Sequence, residues 1–333
     1  MDQSRKNFDI EAVAATGAPS AGYAEPKTGA KHARGMARGL TLLTMRRDGR
    51  YRLGVKSRKG VLDVPDAAKR LHMHAPATMD DLLQNESGPS LNALVDAALH
   101  SGAADDAFID EDGIEYGPVV TCPEKIICVG LNYRRHAREV NMAIPNQPVL
   151  FNKYNNTLSA HKGAIKLPIE IARKFDYETE LVIVMGANAK NVSEAAALSY
   201  VAGYCTGNDF SARELQFDTG GQWMIGKTLD QFAPLGPYMV TADQANPDNL
   251  KIECRVNGEM RQSSSTADFI FSSAQVVSYI SRHMSLRAGD IIFTGTPEGV
   301  IQGRAKDKQV WLKAGDKIAC SVENLGELAF ELV

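Results

Sequence analysis

The chain has 333 residues, of which 44% are hydrophobic and 23% charged, and its formal net charge is −3. These values are typical of a globular protein with one large domain or a main domain and an appendage, and they give no reason to expect binding to nucleic acid or to an anionic membrane. No apolar run approaches the roughly 18 residues that a membrane-spanning helix needs. We therefore expect neither nucleic acid nor a membrane as a partner.

The N-terminal segment 1–38 is rich in Ala, Gly, Pro and Lys, and we predict a flexible tail there. Its start, Ser4-Arg5-Lys6-Asn7-Phe8, is faintly similar to a twin-arginine export signal, but Asp9 and Glu11 interrupt the apolar core that such a signal requires. We therefore expect a cytoplasmic protein, with export as the alternative.

Residues 39–120 are predicted to form a small α+β domain. Strand patterns at 40–45, 51–55 and 61–64 are separated by turns at Asp48-Gly49 and Lys59-Gly60. Residues 66–102 have helical spacing of leucines, divided in two by Gly88-Pro89.

The part from 123 to 333 is predicted to be rich in strands, at 125–129, 177–185, 203–207, 237–240, 251–256, 290–294 and 317–322. Two helices are expected, one capped by Ser193 over 194–201 and one capped by Ser273. Strands and helices do not alternate regularly, so we predict an α+β, mainly β fold, a mixed and largely antiparallel β-roll or barrel.

The cysteines indicate a reducing compartment. They are odd in number, widely spaced and without a CxxC pair, which favours reduced thiols over disulfides or a zinc site; they are Cys122, Cys128, Cys205, Cys254 and Cys320.

Acidic residues form the strongest candidate site. On a strand over 177–185, Glu178 and Glu180 share one face, roughly 6.6 Å apart. Asp209 follows another apolar strand and could supply a third oxygen ligand. Three carboxylates without thiolate or imidazole suit Mg²⁺ or Mn²⁺, not Zn²⁺. The alternative is a solvent-facing strand with two ordinary glutamates.

A second candidate is the pair His136 and Glu139, which face the same way on a helical turn. A carboxylate that orients an imidazole makes a general base. The alternative is an exposed basic turn with a local ion pair.

Two glycine-containing motifs complete the set. Residues 221–228 formally match a phosphate loop, but no apolar strand precedes them and Pro234 soon follows, so we interpret Lys227 as an electrophilic cation beside carboxylates. The turn Gly295-Thr296, after the strand at 290–294, can present N–H groups and a hydroxyl to a carboxylate, although alone it is only a turn.

These motifs occur in one order that closely resembles the fumarylacetoacetate hydrolase family over about residues 123–333. The matching segments are Val129-Gly130-Leu131-Asn132-Tyr133 with His136 and Glu139, Pro148–Lys153, Asp176–Leu181, Asn208–Gln216, Gly226–Asp230, Val256–Glu259, Ala288–Ile292 and Thr294–Val300. The hairpin at 46–55 resembles the small N-terminal domain that some members add.

The resemblance implies a homodimer with Mg²⁺ or Mn²⁺ held by Glu178, Glu180 and Asp209, and a mobile lid that carries His136 and Glu139. It also implies that Gln216, Lys227, Thr296 and Gly295 hold a small 2-oxo acid substrate or stabilise its enolate. Arg213 matches a family arginine, which we interpret as structural and paired with an acid. Three positions depart from the pattern and leave the substrate open, namely Tyr154, Val129 and Gln231.

The reaction that this resemblance favours is hydrolysis of a carbon–carbon bond in a 2,4-diketo acid, of the acylpyruvate type. His136, oriented by Glu139, would activate water, and the leaving enolate would be stabilised by the metal and Lys227. Decarboxylation of oxaloacetate and isomerisation or dehydration of a 2-hydroxydienoate are alternatives at the same site. A binding module without catalysis is less favoured, because the full set of candidate residues is present.

Overall fold

The computed structural model describes residues 35–221 and 223–333. Most of the predicted tail, including the segment similar to an export signal, lies outside these residues. Its last described part contacts helix residue Asn92, whose amide pairs with the backbone of Arg38 at 3.0 and 2.7 Å. Within the described ranges, no helix is both long and apolar enough to cross a membrane.

Strands dominate the described chain. They are β1 (Thr41–Arg47), β2 (Arg50–Ser57), β3 (Gly60–Asp63), β4 (Phe108–Ile109), β5 (Glu115–Tyr116), β6 (Ile126–Gly130), β7 (Val149–Lys153), β8 (Leu158–Ala160), β9 (Ala164–Ile165), β10 (Phe175–Asp176), β11 (Thr179–Met185), β12 (Val201–Asn208), β13 (Ser211–Ala212), β14 (Ala233–Leu235), β15 (Met239–Thr241), β16 (Lys251–Val256), β17 (Glu259–Ser265), β18 (Ile291–Phe293), β19 (Lys317–Val322) and β20 (Glu327–Leu332).

The helices are short. They are α1 (Val64–Leu71), α2 (Met79–Gln84), α3 (Gly88–His100), α4 (Arg134–Glu139), α5 (Glu194–Ala197), α6 (Arg213–Phe217), α7 (Trp223–Lys227) and α8 (Ser273–His283).

Two predicted helix termini were wrong. Ser272, not Ser273, caps α8, because its hydroxyl accepts from the N–H of Gln275 while the Gln275 side chain accepts from the N–H of Ser272. Helix α5 ends at Ala197, four residues before the predicted end, and continues as a 3₁₀ turn into the buried strand β12.

One large sheet joins the N-terminal strands to the rest of the chain. Its order is β4-β3-β2-β1-β15-β12-β11-β18-β6-β7, and the junction is the antiparallel pairing of β1 with β15. A five-stranded sheet has the order β17-β16-β19-β20-β9, and β10 pairs with β13. Antiparallel pairs predominate as predicted, and none of these sheets closes on itself among the described residues.

The centre of the large sheet is buried on both faces. All seven residues of β11 and all eight of β12 are buried. Alternate residues of β11 enter different clusters, so that Val182 and Val184 pack with α2 and α3, whereas Leu181 and Ile183 pack with α8. This two-sided packing holds the central strands rigidly and fixes the position of their ends.

Four chain segments meet at one edge of this sheet. Thr179, at the start of β11, lies opposite Asn208 at the end of β12, and Val182 lies opposite Phe293 at the end of β18. β6 runs parallel to β18, so its end at Gly130 points the same way and leads into α4. The polar residues that follow or precede these strand ends therefore converge.

Candidate metal centre and active site

The predicted acidic residues come together at this edge. Carboxylate oxygens of Glu178, Glu180 and Asp209 lie within 4.8 Å of one another, and the three side chains are buried. The strand predicted over 177–185 begins only at Thr179, so Glu178 lies just before β11 and not within it. Backbone bonds hold it in place, since its N–H donates to the Asn208 side chain at 3.1 Å and its carbonyl accepts from the N–H of Asp209 at 2.9 Å.

Three buried cations contact the acidic cluster. Lys227 Nζ lies 2.7 Å from both Glu178 Oε2 and Asp209 Oδ2. Lys153 Nζ lies 2.5 Å from Asp209 Oδ1. Arg213 Nη2 lies 2.7 Å from Glu178 Oε1. Glu180 is the member of the cluster that has no basic partner among the described residues, so its charge is uncompensated.

The pKa shifts follow from these contacts. Burial raises the pKa of Glu180 well above its usual range, and the carboxylates of Asp209 and Glu178 raise it further. Burial acts in the same direction on Glu178, but Lys227 and Arg213 outweigh it and lower its pKa to about 2. Burial acts to lower the pKa of Lys227, yet Asp209 and Glu178 raise it overall. The raised pKa of Glu180 favours its protonated form, and a bound cation would favour the carboxylate.

The donor set fits Mg²⁺ or Mn²⁺. The cluster offers only carboxylate oxygens at short mutual distances, as a hard divalent cation requires, and one carboxylate lacks a compensating charge. Glu178, Glu180 and Asp209 would hold the ion, and Lys227 would stay beside it.

The turn after β18 supports the same cluster. The N–H of Gly295 donates to Glu180 Oε2 at 2.7 Å. The hydroxyl of Thr296 donates to the carbonyl of Thr179 at 3.0 Å and accepts from Gln262 at 2.9 Å. The turn Gly295-Thr296, which alone indicated no function in the sequence, therefore packs against the metal-ligand candidate Glu180.

The predicted dyad forms on α4, which docks over the cluster. His136 Nδ1 lies 3.2 Å from Glu139 Oε2. The N–H of Gly299 donates to Glu139 at 2.9 and 3.2 Å, which fixes the carboxylate from the other side. Gly303 allows this approach, since a Cβ there would lie 2.4 Å from Glu139 Cδ. In the described structure, α4 therefore contacts the segment 299–303 through Glu139.

A cavity of about 440 Å³ contains these groups. Its lining includes His136, Glu139, Glu178, Glu180, Asp209, Gln216, Lys227 and Thr296. Of the predicted site residues, Gly295 is set back from the lining and acts through its bond to Glu180. Phe151, Phe217 and Trp223 add an aromatic part to the lining.

Arg213 and the three departures are also placed. Arg213 pairs with Asp176 at 2.9 Å as well as with Glu178, so the predicted ion pair is present. Val129 lines the cavity, and Tyr154 is exposed with its hydroxyl 3.2 Å from Met224 Sδ. Gln231 accepts from the N–H of Lys166 at 3.3 Å and does not line the cavity.

Two contributors were missing from the predicted site. Lys153 was part of a recognised motif, but its contact with Asp209 spans 56 residues and leaves no local pattern. Asp176 accepts from the N–H groups of Ile301 and Gln302 at 2.9 and 3.0 Å, and so ties the metal-site arginine to the segment after the turn. The position of Asp176, an acidic residue directly before Tyr177-Glu178, was the feature of the sequence that could have indicated it.

Comparison with known proteins gives concordant matches. The family model described as fumarylacetoacetate (FAA) hydrolase C-terminal matches residues 125–333. The fumarylacetoacetate hydrolase domain-containing protein 2 homolog of Dictyostelium discoideum is 49% identical over 216 residues, 62% of this chain and 70% of that protein. The mitochondrial oxaloacetate tautomerase Fahd2a of Rattus norvegicus is 39% identical over 259 residues, 78% of this chain and 80% of that protein.

Solved structures give matches of the same kind as the sequence comparisons. Fumarylacetoacetate hydrolase from Exiguobacterium antarcticum superposes with a TM-score of 0.70 at 30% identity, covering 88% of this chain and 99% of that one. Fumarylpyruvate hydrolase from Pseudomonas aeruginosa, in complex with Mn²⁺ and pyruvate, gives 0.57 at 34% identity, covering 63% and 90%.

Proposed function

Because this chain belongs to the fumarylacetoacetate hydrolase family, we propose that it is a divalent-metal enzyme that hydrolyses a carbon–carbon bond in a 2,4-diketo acid. The observation that carries the proposal is the docking of the His136–Glu139 dyad over three buried carboxylates within one cavity. A base and a cation site so close together suit a reaction in which the base activates water and the cation polarises the carbonyl groups of the substrate.

The proposed division of labour starts from the acidic cluster. Glu178, Glu180 and Asp209 hold Mg²⁺ or Mn²⁺, which when bound supplies Lewis-acid polarisation of a 2-oxo acid. Lys227 stays between Glu178 and Asp209, where its ammonium group offsets negative charge that develops on the substrate oxygen. The Gly295 N–H keeps Glu180 oriented.

His136 is the proposed general base. With Nδ1–H donating to Glu139, its Nε2 is the acceptor that can take a proton from water. That water adds to C4 of the diketo acid, and the bond between C4 and C3 breaks. The enolate released on C3 takes up a proton, which gives a 2-oxo acid and a carboxylic acid. The 440 Å³ cavity is large enough for both halves of such a substrate.

The second candidate is keto–enol tautomerisation of oxaloacetate, which the 39% identity to the rat tautomerase over most of both chains favours. It would use the same residues with one difference. His136 would then transfer a proton to or from the carbon next to the keto group, and no water would add. Decarboxylation of oxaloacetate and isomerisation or dehydration of a 2-hydroxydienoate, the alternatives from the sequence, would use the same site.

The experiment is a turnover assay of protein loaded with Mg²⁺ or Mn²⁺, on acetylpyruvate, fumarylpyruvate and oxaloacetate. We expect cleavage of a diketo acid, and expect it to be lost in Asp209→Asn and strongly reduced in His136→Ala. His100→Ala is the matched control, since that histidine lies exposed on α3. Rapid tautomerisation without cleavage would move the assignment to the second candidate, and inactivity of the metal-loaded protein on every 2-oxo acid would overturn both.

We further propose a cytoplasmic homodimer. Light scattering should then give twice the mass of one chain, and a monomer at micromolar concentration would contradict the assembly.

A further inference from the structure

The cavity has a basic wall that the proposed chemistry does not use. Arg304 and Lys306 line it, together with Gln302 and Gln309 from the same segment. Arg213 and Lys227, the other basic residues of the lining, are bound by carboxylates. In contrast, neither Arg304 nor Lys306 has a carboxylate within ion-pair distance in the part of the chain that the structure describes.

The guanidinium of Arg304 is anchored but not saturated. One of its terminal nitrogens lies 3.2 Å from the Tyr177 hydroxyl and 3.5 Å from the carbonyl of Gly299. These neutral oxygens orient the group without neutralising it, and the planar fork retains donors that suit a carboxylate. Arg304 is half-buried, whereas Lys306 is exposed, so Arg304 is the better placed of the two for a specific contact.

The segment that carries Arg304 is held in place by hydrogen bonds within the protein. The Gln309 side chain donates to the carbonyls of Gln302 and Arg304 at 3.1 and 3.0 Å. Asp176 accepts from the N–H groups of Ile301 and Gln302, and it also binds Arg213, which contacts the acidic cluster. The basic wall and the metal centre are therefore connected through one buried carboxylate, which fixes their relative position.

The charges of the lining indicate a dianionic ligand. Four carboxylates and four Lys or Arg side chains line the cavity, so the formal charges of these groups balance. A divalent cation in the acidic cluster would leave a net charge of about +2. A substrate with two carboxylates, one near the metal and one at Arg304, complements that charge.

On the basis of the proposed function, we propose that the substrate is a 2-oxo acid with a second carboxylate at its far end, and that Arg304 binds this carboxylate. Arg304 is then a specificity-determining residue, which separates dicarboxylic from monocarboxylic 2-oxo acids. Tyr177, next to the metal-ligand candidate Glu178, orients the guanidinium towards the ligand. Lys306 contributes long-range attraction, which salt screens.

Binding of two matched ligands to Mn²⁺-loaded protein tests this. 2-Oxoadipate and 2-oxohexanoate share the chelating end and the chain length, differ in the distal carboxylate, and lack the second carbonyl that hydrolysis needs. By calorimetry, we expect 2-oxoadipate to bind about 10- to 100-fold more tightly, the range for a hydrogen bond to a charged group. Arg304→Gln should abolish this preference and leave 2-oxohexanoate binding unchanged, while Arg304→Lys should retain part of it.

The controls separate a binding role from a structural one. Lys306→Gln should keep most of the preference, and Tyr177→Phe should reduce it only several-fold, because the charge of Arg304 remains. Equal binding of the two ligands by the wild type, or equal weakening of both by Arg304→Gln, would overturn the subsite. Failure of the Mn²⁺-loaded wild type to bind either ligand would instead refute the proposed function.

Discussion

Gly303→Ala tests whether the docking of α4 against Gly303 positions the proposed catalytic dyad of His136 and Glu139. A Cβ at this residue would lie 2.4 Å from Glu139 Cδ and 2.6 Å from its Oε2, far inside contact distance. Gly303 does not have a positive φ, so alanine adds this clash without backbone strain. The carboxylate must then leave the N–H of Gly299 and the imidazole of His136.

The size of the effect follows from the hydrogen bonds that the Glu139 carboxylate can no longer accept. Hydrogen bonds to a charged group contribute about 1.5–3 kcal/mol, so the docked state of α4 should be disfavoured by roughly 10- to 100-fold. Amide hydrogen exchange should rise by that factor at Ala137 and Val140, and kcat should fall similarly, because misplacement of a catalytic group by about 1 Å can cost 10²-fold. Mn²⁺ affinity should stay unchanged.

The matched control is Gly102→Ala, an exposed glycine of ordinary φ whose added Cβ would meet nothing nearer than 3.8 Å. It should behave as wild type in both measurements. Wild-type exchange and turnover in Gly303→Ala would refute the idea that this close approach holds Glu139 and, through it, the lid.

Three further predictions concern protons. Because burial and the neighbouring carboxylates raise the pKa of Glu180, cation binding should release a proton, and Mn²⁺ affinity should fall as the pH is lowered; calorimetric heats that do not vary with the buffer's ionisation enthalpy would contradict this. Burial and Lys162 lower the pKa of His161 to about 4, so the unfolded chain takes up a proton there before the folded one, and stability should decline as the pH falls from about 6.5 to 4; urea unfolding should show a weaker decline in His161→Gln. His136→Ala should reduce kcat by about 10²–10⁴-fold while oxalate binding to the metal-loaded protein persists, and near-native turnover would exclude the proposed base.

The sequence predicted those features whose cause is local. The Asp48-Gly49 turn is present with positive φ at both residues, because such a turn requires residues that tolerate it. The spacing of His136 and Glu139 was also sufficient to predict their contact, since side chains three positions apart on a helical turn lie close together whatever surrounds them.

Contacts between distant segments could not be predicted in this way. Strand β1 pairs with β15 across 199 residues, between Thr41 and Val240. Lys153 reaches Asp209 from another strand, and no period or motif in the sequence encodes that distance. The acidic residues were identified from a strand pattern, yet Glu178 is positioned by its backbone bonds to 208–209, which depend on the assembled sheet.

The central claim is that Glu178, Glu180 and Asp209 hold a divalent cation, and an anomalous difference map from crystals grown with Mn²⁺ tests it most directly. We expect one strong peak bonded to an oxygen of each of the three carboxylates, and its loss in Asp209→Asn. A map with Mn²⁺ bound elsewhere, or with no peak beside these three carboxylates at saturating Mn²⁺, would contradict it.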